Sequence, residues 1–127
     1  MIERTAAFRK GTVGVLWLLR GLVALVFLAA GGSKLVAAPA MVAMFATIGV
    51  GQWFRLLTGT LEVAGAIGLF VPATTVYAAL LLMIVMAGAI VAHLAILGGS
   101  PVPAIVLLLL SGGIAWLTRE GTRASRH

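Results

Sequence analysis

The sequence predicts an all-α protein that crosses a membrane as a four-helix bundle, and its composition and its long apolar segments are the reasons. Of the 127 residues, 62% are hydrophobic and only 9% are charged, and the mean hydropathy is +1.19. Soluble domains are closer to half apolar and a quarter charged. The length allows one compact domain, residues 1–127. We therefore expect an integral membrane protein surrounded by the lipid bilayer.

Four apolar segments have the length of a membrane span, which takes about 17 to 25 helical residues. The second segment ends at Pro72, and the third ends at a Gly-Gly-Ser-Pro sequence that closes with Pro101. The connections after these two segments are very short, so we expect the neighbouring helices to pack antiparallel. The predicted spans are residues 13–35, 54–71, 74–97 and 102–118.

The segment between the first and second spans is apolar but too short to cross the bilayer. Pro39 opens it, Ile48 is its last apolar residue, and Gly49, Gly51 and Trp53 lead into the second span. Proline is well tolerated in the first turn of a helix. We predict a short interfacial helix that lies on the mouth of the bundle.

The distribution of basic residues predicts the orientation. Four spans place both termini on one side of the membrane, and most of the basic residues flank the termini. The positive-inside rule then places both termini in the cytoplasm. The bias toward alanine, glycine and arginine suggests a high-GC bacterium, and we therefore expect a bacterial inner membrane. The net charge of +6 is thus a topology signal, and we expect no nucleic acid as a partner. These flanking residues are Arg4, Arg9, Lys10, Arg119, Arg123 and Arg126.

A cleaved signal peptide is the alternative for the N-terminal segment. Basic residues precede an apolar run there, and Ala29-Ala30-Gly31 has the small side chains of a cleavage site. Arg20 interrupts the apolar run, which signal peptides avoid. We therefore favour a retained span.

Five ionisable residues in or at the edge of the spans are the candidate binding residues. Glu62 is the single acidic residue inside the hydrophobic body, and a carboxylate in hydrocarbon is costly unless it is neutral, paired or hydrated. At about 1.5 Å per residue, Arg20 and Glu62 lie roughly 10 and 13 Å from the predicted inner ends of their spans. We therefore predict an Arg20–Glu62 pair with two parallel hydrogen bonds. The five residues are Arg20, Lys34, Arg55, Glu62 and His93.

Lys34, Arg55 and His93 fall near the outer ends of their spans. Helical spacing places Arg55 and Glu62 on one face of the second helix, and we predict a polar interior that opens past the three outer residues. Other interpretations stay open at this point. Lys34 and Arg55 could extend to the lipid head groups. His93 could be a packing residue, and the Arg20–Glu62 pair could serve only to hold the helices in register.

The composition excludes several kinds of chemistry. The chain contains no cysteine, so it has no thiol nucleophile and no thiolate metal site. One glutamate and one histidine in the spans do not fill a metal site, so we expect no metal. No glycine-rich phosphate-binding motif precedes a helix. We expect no catalytic residues, and thus a non-catalytic subunit rather than a self-contained enzyme.

Three short motifs, in this order and spacing, resemble the DoxX-like family of small bacterial membrane proteins. They are Gly31-Gly-Ser-Lys34, Gly59-Thr-Leu-Glu62 and the run from Met86 to His93, with Arg20 opening the first helix. The resemblance covers roughly residues 20–119 and implies a four-helix membrane bundle. Some relatives are subunits of quinone-linked oxidoreductases, such as the small subunit of thiosulfate:quinone oxidoreductase. Others are linked to oxidative-stress defence in mycobacteria.

The resemblance implies an accessory or anchor subunit of a membrane redox complex, with quinone as the cofactor and a membrane or soluble redox protein as the partner. Glu62 and His93 would be the proton carriers. Two alternatives remain: a small transporter or lipid-binding protein that takes an anionic ligand on Lys34 and Arg55, and a structural or assembly factor for another membrane protein. Small residues at four-residue spacing leave a homo-oligomer open.

Overall fold

The computed structural model describes the backbone of residues 2–125 and the side chains of residues 9–121, and the regular elements in this part of the chain are helical. The all-α prediction is confirmed. Arg126 lies outside the described residues, as do the side chains of Arg4 and Arg123, so the orientation drawn from them stays a prediction. The elements are α1 (Ile2–Leu35), α2 (Pro39–Ile48), α3 (Gln52–Gly68), α4 (Thr75–Ala92), a π-helical turn (His93–Leu97) and α5 (Val102–Ser125).

Three segments of the described chain are helical, long and apolar enough to cross a membrane: Arg9–Leu35, Thr75–Leu97 and Val102–Gly121. α2 and α3 pass the same test only as a pair, and the chain bends by 118° at the break between them. α3 alone has 17 residues, which is about 25 Å of helix. The protein is thus a multi-pass membrane protein with three spans, or four if the bent pair forms one.

α1 and α3 run antiparallel and pack through two glycines. A Cβ atom on Gly31 would lie 2.8 Å from the carbonyl oxygen of Gly59, and one on Gly59 would lie 2.9 Å from the carbonyl oxygen of Gly31. Small residues let helix backbones approach this closely, which is a common basis of helix association in membranes. The pair of glycines therefore sets the register between the two helices.

α3 packs on its other side against α4, which in turn packs against α5. A Cβ on Gly65 would meet the side chain of Leu82, and one on Gly68 would meet Ala78, so α3 and α4 are antiparallel as predicted. The hydroxyl of Thr75 donates to the carbonyl oxygens of Leu69 and Val71 and closes the short turn between these helices. The large, fully buried hydrophobic side chains of the core come from α1, α4, α5 and the residue that follows α3: Val23, Phe27, Leu82, Ile114 and Leu69.

α2 covers the end of the bundle at which α1 stops. The amide of Ala38 donates to the Ser33 carbonyl oxygen and the amide of Ala37 donates to that of Lys34, which is the pattern of a Schellman helix end. Ala37 accordingly has a φ of 58°. Phe45, 4% exposed, packs edge-on against Phe54 with 5.8 Å between the ring centres. α2 thereby contacts the start of α3, and it also contacts the π-helical turn.

Candidate functional site

Glu62 forms an ion pair with Lys34. The Glu62 side chain is 1% exposed, and its Oε1 atom lies 2.8 Å from Nζ of Lys34. Lys34 follows Gly31 by one helical turn on α1, and Glu62 follows Gly59 by one turn on α3. Side chains tilt toward the N-terminus of their own helix, so in antiparallel helices both of these point back toward the glycine contact. The close approach of the backbones there brings the two charges together.

The predicted Arg20–Glu62 pair is wrong. Arg20 is 5% exposed, and its guanidinium carbon lies 4.6 Å from the centre of the Trp17 ring. Arg20 lies about 16 Å along α1 from the Gly31–Gly59 contact. Glu62 lies only about 4.5 Å from the same contact along the antiparallel α3, in the same direction, so the two residues are at different depths. The Arg20 side chain also tilts toward the start of α1, away from Glu62. The prediction failed because it aligned the two helices by their assumed ends, and the glycine contact sets a different register.

Arg55 is 8% exposed and connects three helices. Its Nε atom donates a hydrogen bond of 2.8 Å to Oε1 of Gln52, and its Nη1 atom donates to the backbone carbonyl oxygen of Lys34. Gln52 in turn donates through Nε2 to the Val42 carbonyl oxygen of α2 at 3.1 Å. The guanidinium gives the Lys34 carbonyl oxygen a second donor besides the Ala37 amide, and its charge complements the negative end of the α1 helix dipole. Arg55 is therefore held inside the protein rather than extended to lipid head groups.

A cavity of about 360 Å³ lies between α2, α3, α4 and the π-helical turn. Small-molecule sites usually occupy about 300 to 1,000 Å³ and are mostly apolar with a few polar groups. Three ionisable side chains line this cavity, namely Lys34, Glu62 and His93, and Thr58 adds a hydroxyl. The remaining wall is largely apolar and includes Met41, Met44, Phe45, Leu57, Leu61 and Met86.

The cavity reaches the surface of the bundle between α3 and α4. Leu57 and Ile84 both line it, and their side chains are 43% and 70% exposed. Gly88 also lines the cavity, and a Cβ atom there would meet nothing within 4 Å. Exposed apolar side chains of a membrane-spanning helix contact lipid tails. An apolar molecule could therefore enter the cavity from the bilayer.

His93 lies on the cavity wall at the start of the π-helical turn. Its Nδ1 atom is 3.0 Å from the Gly98 carbonyl oxygen, and the Gly98 amide donates to the His93 carbonyl oxygen at 2.9 Å. Because a carbonyl oxygen only accepts, Nδ1 carries the proton of this bond, and Nε2 of the neutral ring holds a lone pair. Such π-turns occur frequently at functional sites. The sequence predicted one continuous span over residues 74–97 and gave no sign of the turn.

Both carboxylate oxygens of Glu62 are buried without a hydrogen bond of regular geometry to the described residues, and Oε1 is held by the ion pair with Lys34. No group among the described residues hydrogen-bonds to Oε2, although this atom is buried. An unsatisfied buried acceptor costs about 1–3 kcal/mol, and more when it is charged. Glu62 lines the cavity, but its two oxygens are buried, so the ammonium group of Lys34 is the charge that stabilises this carboxylate.

The structure thus brings three of the five predicted residues onto one cavity, with Arg55 bonded to the backbone of Lys34 and Arg20 elsewhere in the bundle. The Lys34–Glu62 pair had a signal in the sequence, because Gly31-x-x-Lys34 and Gly59-x-x-Glu62 share the same spacing. The contribution of α2 to the wall had no such signal. It depends on how the chain folds back at the end of α1.

A comparison with known proteins identifies the family of the chain. A family model described as the DoxX-like family matches residues 18–117, a range that contains all five candidate residues and every residue of the cavity wall. No curated protein and no solved structure matches the chain. Since the family match covers most of the 127 residues, the chain belongs to the DoxX-like family.

Proposed function

We propose that this protein is a non-catalytic subunit of a membrane redox complex and that its cavity holds the ring of a quinone. The observation that supports this most directly is the apolar cavity with Lys34, Glu62 and His93 on its wall. A quinone is an apolar molecule with a small polar ring, so it matches a site with few polar groups and an opening to lipid. Membership of the DoxX-like family supports the redox context.

Each of the three ionisable residues has a role in this proposal. A bound quinone would supply the two-electron, two-proton chemistry. The ammonium group of Lys34 donates hydrogen bonds and orients the ring, while its pairing with Glu62 keeps the local charge balanced. His93, with Nδ1 bonded to the Gly98 carbonyl oxygen, holds or releases a proton at Nε2. The electrons are assigned to the partner protein of the complex.

The proposal includes the four-span topology in a bacterial inner membrane, with both termini in the cytoplasm. α3 would be the second span, which its packing between α1 and α4 supports. α2 would lie at the interface, and the bend of 118° before α3 supports this arrangement. Arg9, Lys10 and Arg119 are exposed and lie near the two ends of the chain. The positive-inside rule assigns such basic residues to the cytoplasmic side, which supports both termini there.

The experiment is co-purification in mild detergent from native membranes. We expect quinone and a redox protein to co-purify with the tagged chain. The Gly88→Phe variant places a large side chain in the cavity and should reduce the bound quinone at least tenfold. Gly14→Phe is the matched control, because Gly14 is also an exposed helical glycine with nothing near its Cβ and lies outside the cavity wall. Absence of both the quinone and a redox partner would contradict the proposal.

A structural role is the second candidate, and the hydrogen bonds of Arg55 favour it because they connect α1, α2 and α3. Under this alternative, Arg55→Met lowers the amount of protein in the membrane, and Gly88→Phe has no effect on the partner.

The third candidate, transport of an anion on Lys34 and Arg55, is weakened because both cations already have partners within the chain. A liposome flux assay with wild-type protein and Glu62→Gln tests it.

A further inference from the structure

We propose that α2 is a lid that controls the access of water to the cavity from the end of the bundle that α2 covers, and that the side chain of Gln52 is the latch that holds this lid closed. Such a lid goes beyond the proposed function, because it controls access whichever ligand the cavity holds. One face of α2 forms part of the cavity wall, while the opposite face is exposed. The wall residues of α2 are Met41, Met44, Phe45 and Ile48.

The connections at both ends of α2 have the backbone of a hinge. Ala37, just before α2, has a φ of 58°, and Gly49 and Gly51, just after it, have φ values of 83° and 123°. Hinges consist of a few residues at the ends of an element that absorb a large change in φ and ψ, and small residues are common there. A rotation about these residues moves α2 as one body, because the hydrogen bonds within the helix stay intact.

The side chain of Gln52 joins α2 to α3. Its Nε2 atom donates to the Val42 carbonyl oxygen at 3.1 Å, and no other hydrogen bond among the described residues connects α2 to a neighbouring helix. Nε of Arg55 donates to Oε1 of Gln52 at 2.8 Å. The amide group of a glutamine has one accepting oxygen and one donating nitrogen. The bond from Arg55 therefore fixes the oxygen and directs the nitrogen of Gln52 toward α2.

This latch can open without leaving a backbone group unsatisfied. The Val42 carbonyl oxygen lies in the middle of α2, where the helix itself supplies the amide of Ala46 as a donor. The amide nitrogen of Gln52 would donate to water in the open state. One neutral hydrogen bond shifts an equilibrium by roughly 2- to 12-fold. A bond of this size favours the closed lid and leaves the opening reversible.

The lid covers the Lys34–Glu62 ion pair. Both residues line the cavity, and their side chains are only 13% and 1% exposed. Water at an ion pair weakens the attraction between its charges, so a closed lid preserves the strength of this pair. Arg55 also donates to the Lys34 carbonyl oxygen, which ties the latch to the end of α1. The cavity thus has an opening to lipid between α3 and α4 and a second, aqueous route that α2 closes.

The chain contains no cysteine, so single cysteines can report on this route. Thr58→Cys places a thiol on the cavity wall. Ser111→Cys is the matched control, because Ser111 is also a hydroxyl residue, is 0% exposed and lies outside the cavity wall. The full-length variants are placed in phosphatidylcholine nanodiscs, and their labelling rates with a permanently charged methanethiosulfonate reagent are measured. The charge prevents this reagent from entering through the lipid.

Gln52→Glu opens the latch selectively, because a carboxylate still accepts the bond from Arg55 but has no proton to donate to Val42. We expect this change to raise the labelling rate of Thr58→Cys at least about threefold and to leave that of Ser111→Cys unchanged. Gln52→Met also lacks the donor and should give the same result if Gln52→Glu does not fold. An unchanged rate for Thr58→Cys would overturn the lid, and a rise at both positions would overturn the latch, since the whole bundle would then have loosened. The proposed function stands in either case, because no quinone and no partner take part in the measurement.

Discussion

Replacing Gly31 with alanine should destabilise the packing of α1 against α3. The new Cβ atom would lie 2.8 Å from the Gly59 carbonyl oxygen and 2.9 Å from Cγ2 of Val63. Ordinary contact begins at 3.4 Å, so the backbones would have to separate by 3.4 − 2.8 = 0.6 Å. The obstructing carbonyl belongs to the backbone and cannot rotate away. The separation would also lengthen the Lys34–Glu62 contact, which is 2.8 Å.

The size of the effect follows from two opposing terms. Overpacking a close contact costs about 1–3 kcal/mol. Alanine is favoured over glycine in a helix by up to about 1 kcal/mol, which offsets part of this cost. We therefore expect the free energy of unfolding to fall by about 1–2 kcal/mol. Titration with a denaturing detergent, followed by circular dichroism, measures this free energy.

Gly32→Ala is the matched control for this experiment. Gly32 is the next residue on the same helix, and a Cβ atom there would meet nothing within 4 Å. We expect Gly32→Ala to leave the stability unchanged or to increase it slightly. If Gly31→Ala and Gly32→Ala have the same stability, the glycine contact does not set the register of α1 and α3, and the reasoning is refuted. A further check is Gly31→Ala combined with Gly59→Ala, which should cost less than the sum of the single changes because one separation relieves both clashes.

Three further predictions concern the same end of the bundle. Glu62→Ala should lower the free energy of unfolding in detergent by about 3–5 kcal/mol, because it leaves the Lys34 ammonium group buried and unpaired. Lys34→Met combined with Glu62→Leu should cost far less, because both charges are removed together. Equal losses from the single and the double variant would contradict the pairing. Ala37→Gly should raise the free energy of unfolding by about 1 kcal/mol, because Ala37 has a φ of 58°, a left-handed conformation that glycine adopts more easily than alanine. Ala38→Gly should bring no gain, because the φ of Ala38 is −53°. Arg55→Met should cost about 1–3 kcal/mol and speed proteolysis between α2 and α3, since it removes the hydrogen bond that links α3 to the Lys34 carbonyl oxygen and leaves Oε1 of Gln52 without this donor. Unchanged proteolysis would argue against its connecting role.

Much of the fold could be predicted from the sequence because the bilayer imposes strict conditions. In lipid, backbone polar groups must be satisfied within the chain, so long apolar segments become helices. The predicted segments at 13–35 and 102–118 accordingly lie within α1 and α5, and the segment at 74–97 begins one residue before α4 and ends with its π-helical turn. Pro39 and Ile48 are the ends of α2. The ends of the long helices were less predictable, because helix continues beyond the apolar core at Ile2 and Ser125.

The partner of Glu62 could not be derived from apolar length alone. Assumed span ends placed Arg20 and Glu62 at similar depths. In the structure, a contact between two glycines brings Lys34 to Glu62 and leaves Arg20 against Trp17. A shift of a few residues in register changes which charges meet, and nothing in the hydropathy pattern of either helix alone encodes that shift.

The sequence by itself determined that this is a membrane protein built from helices, and it identified Lys34, Glu62 and His93 as unusual residues for such helices. The tertiary structure decided that these three line one cavity under α2 and that Glu62 pairs with Lys34. The physical reason is that hydropathy and helix formation are properties of short segments. An ion pair and a cavity depend on contacts of a few ångströms between segments that are far apart in the chain.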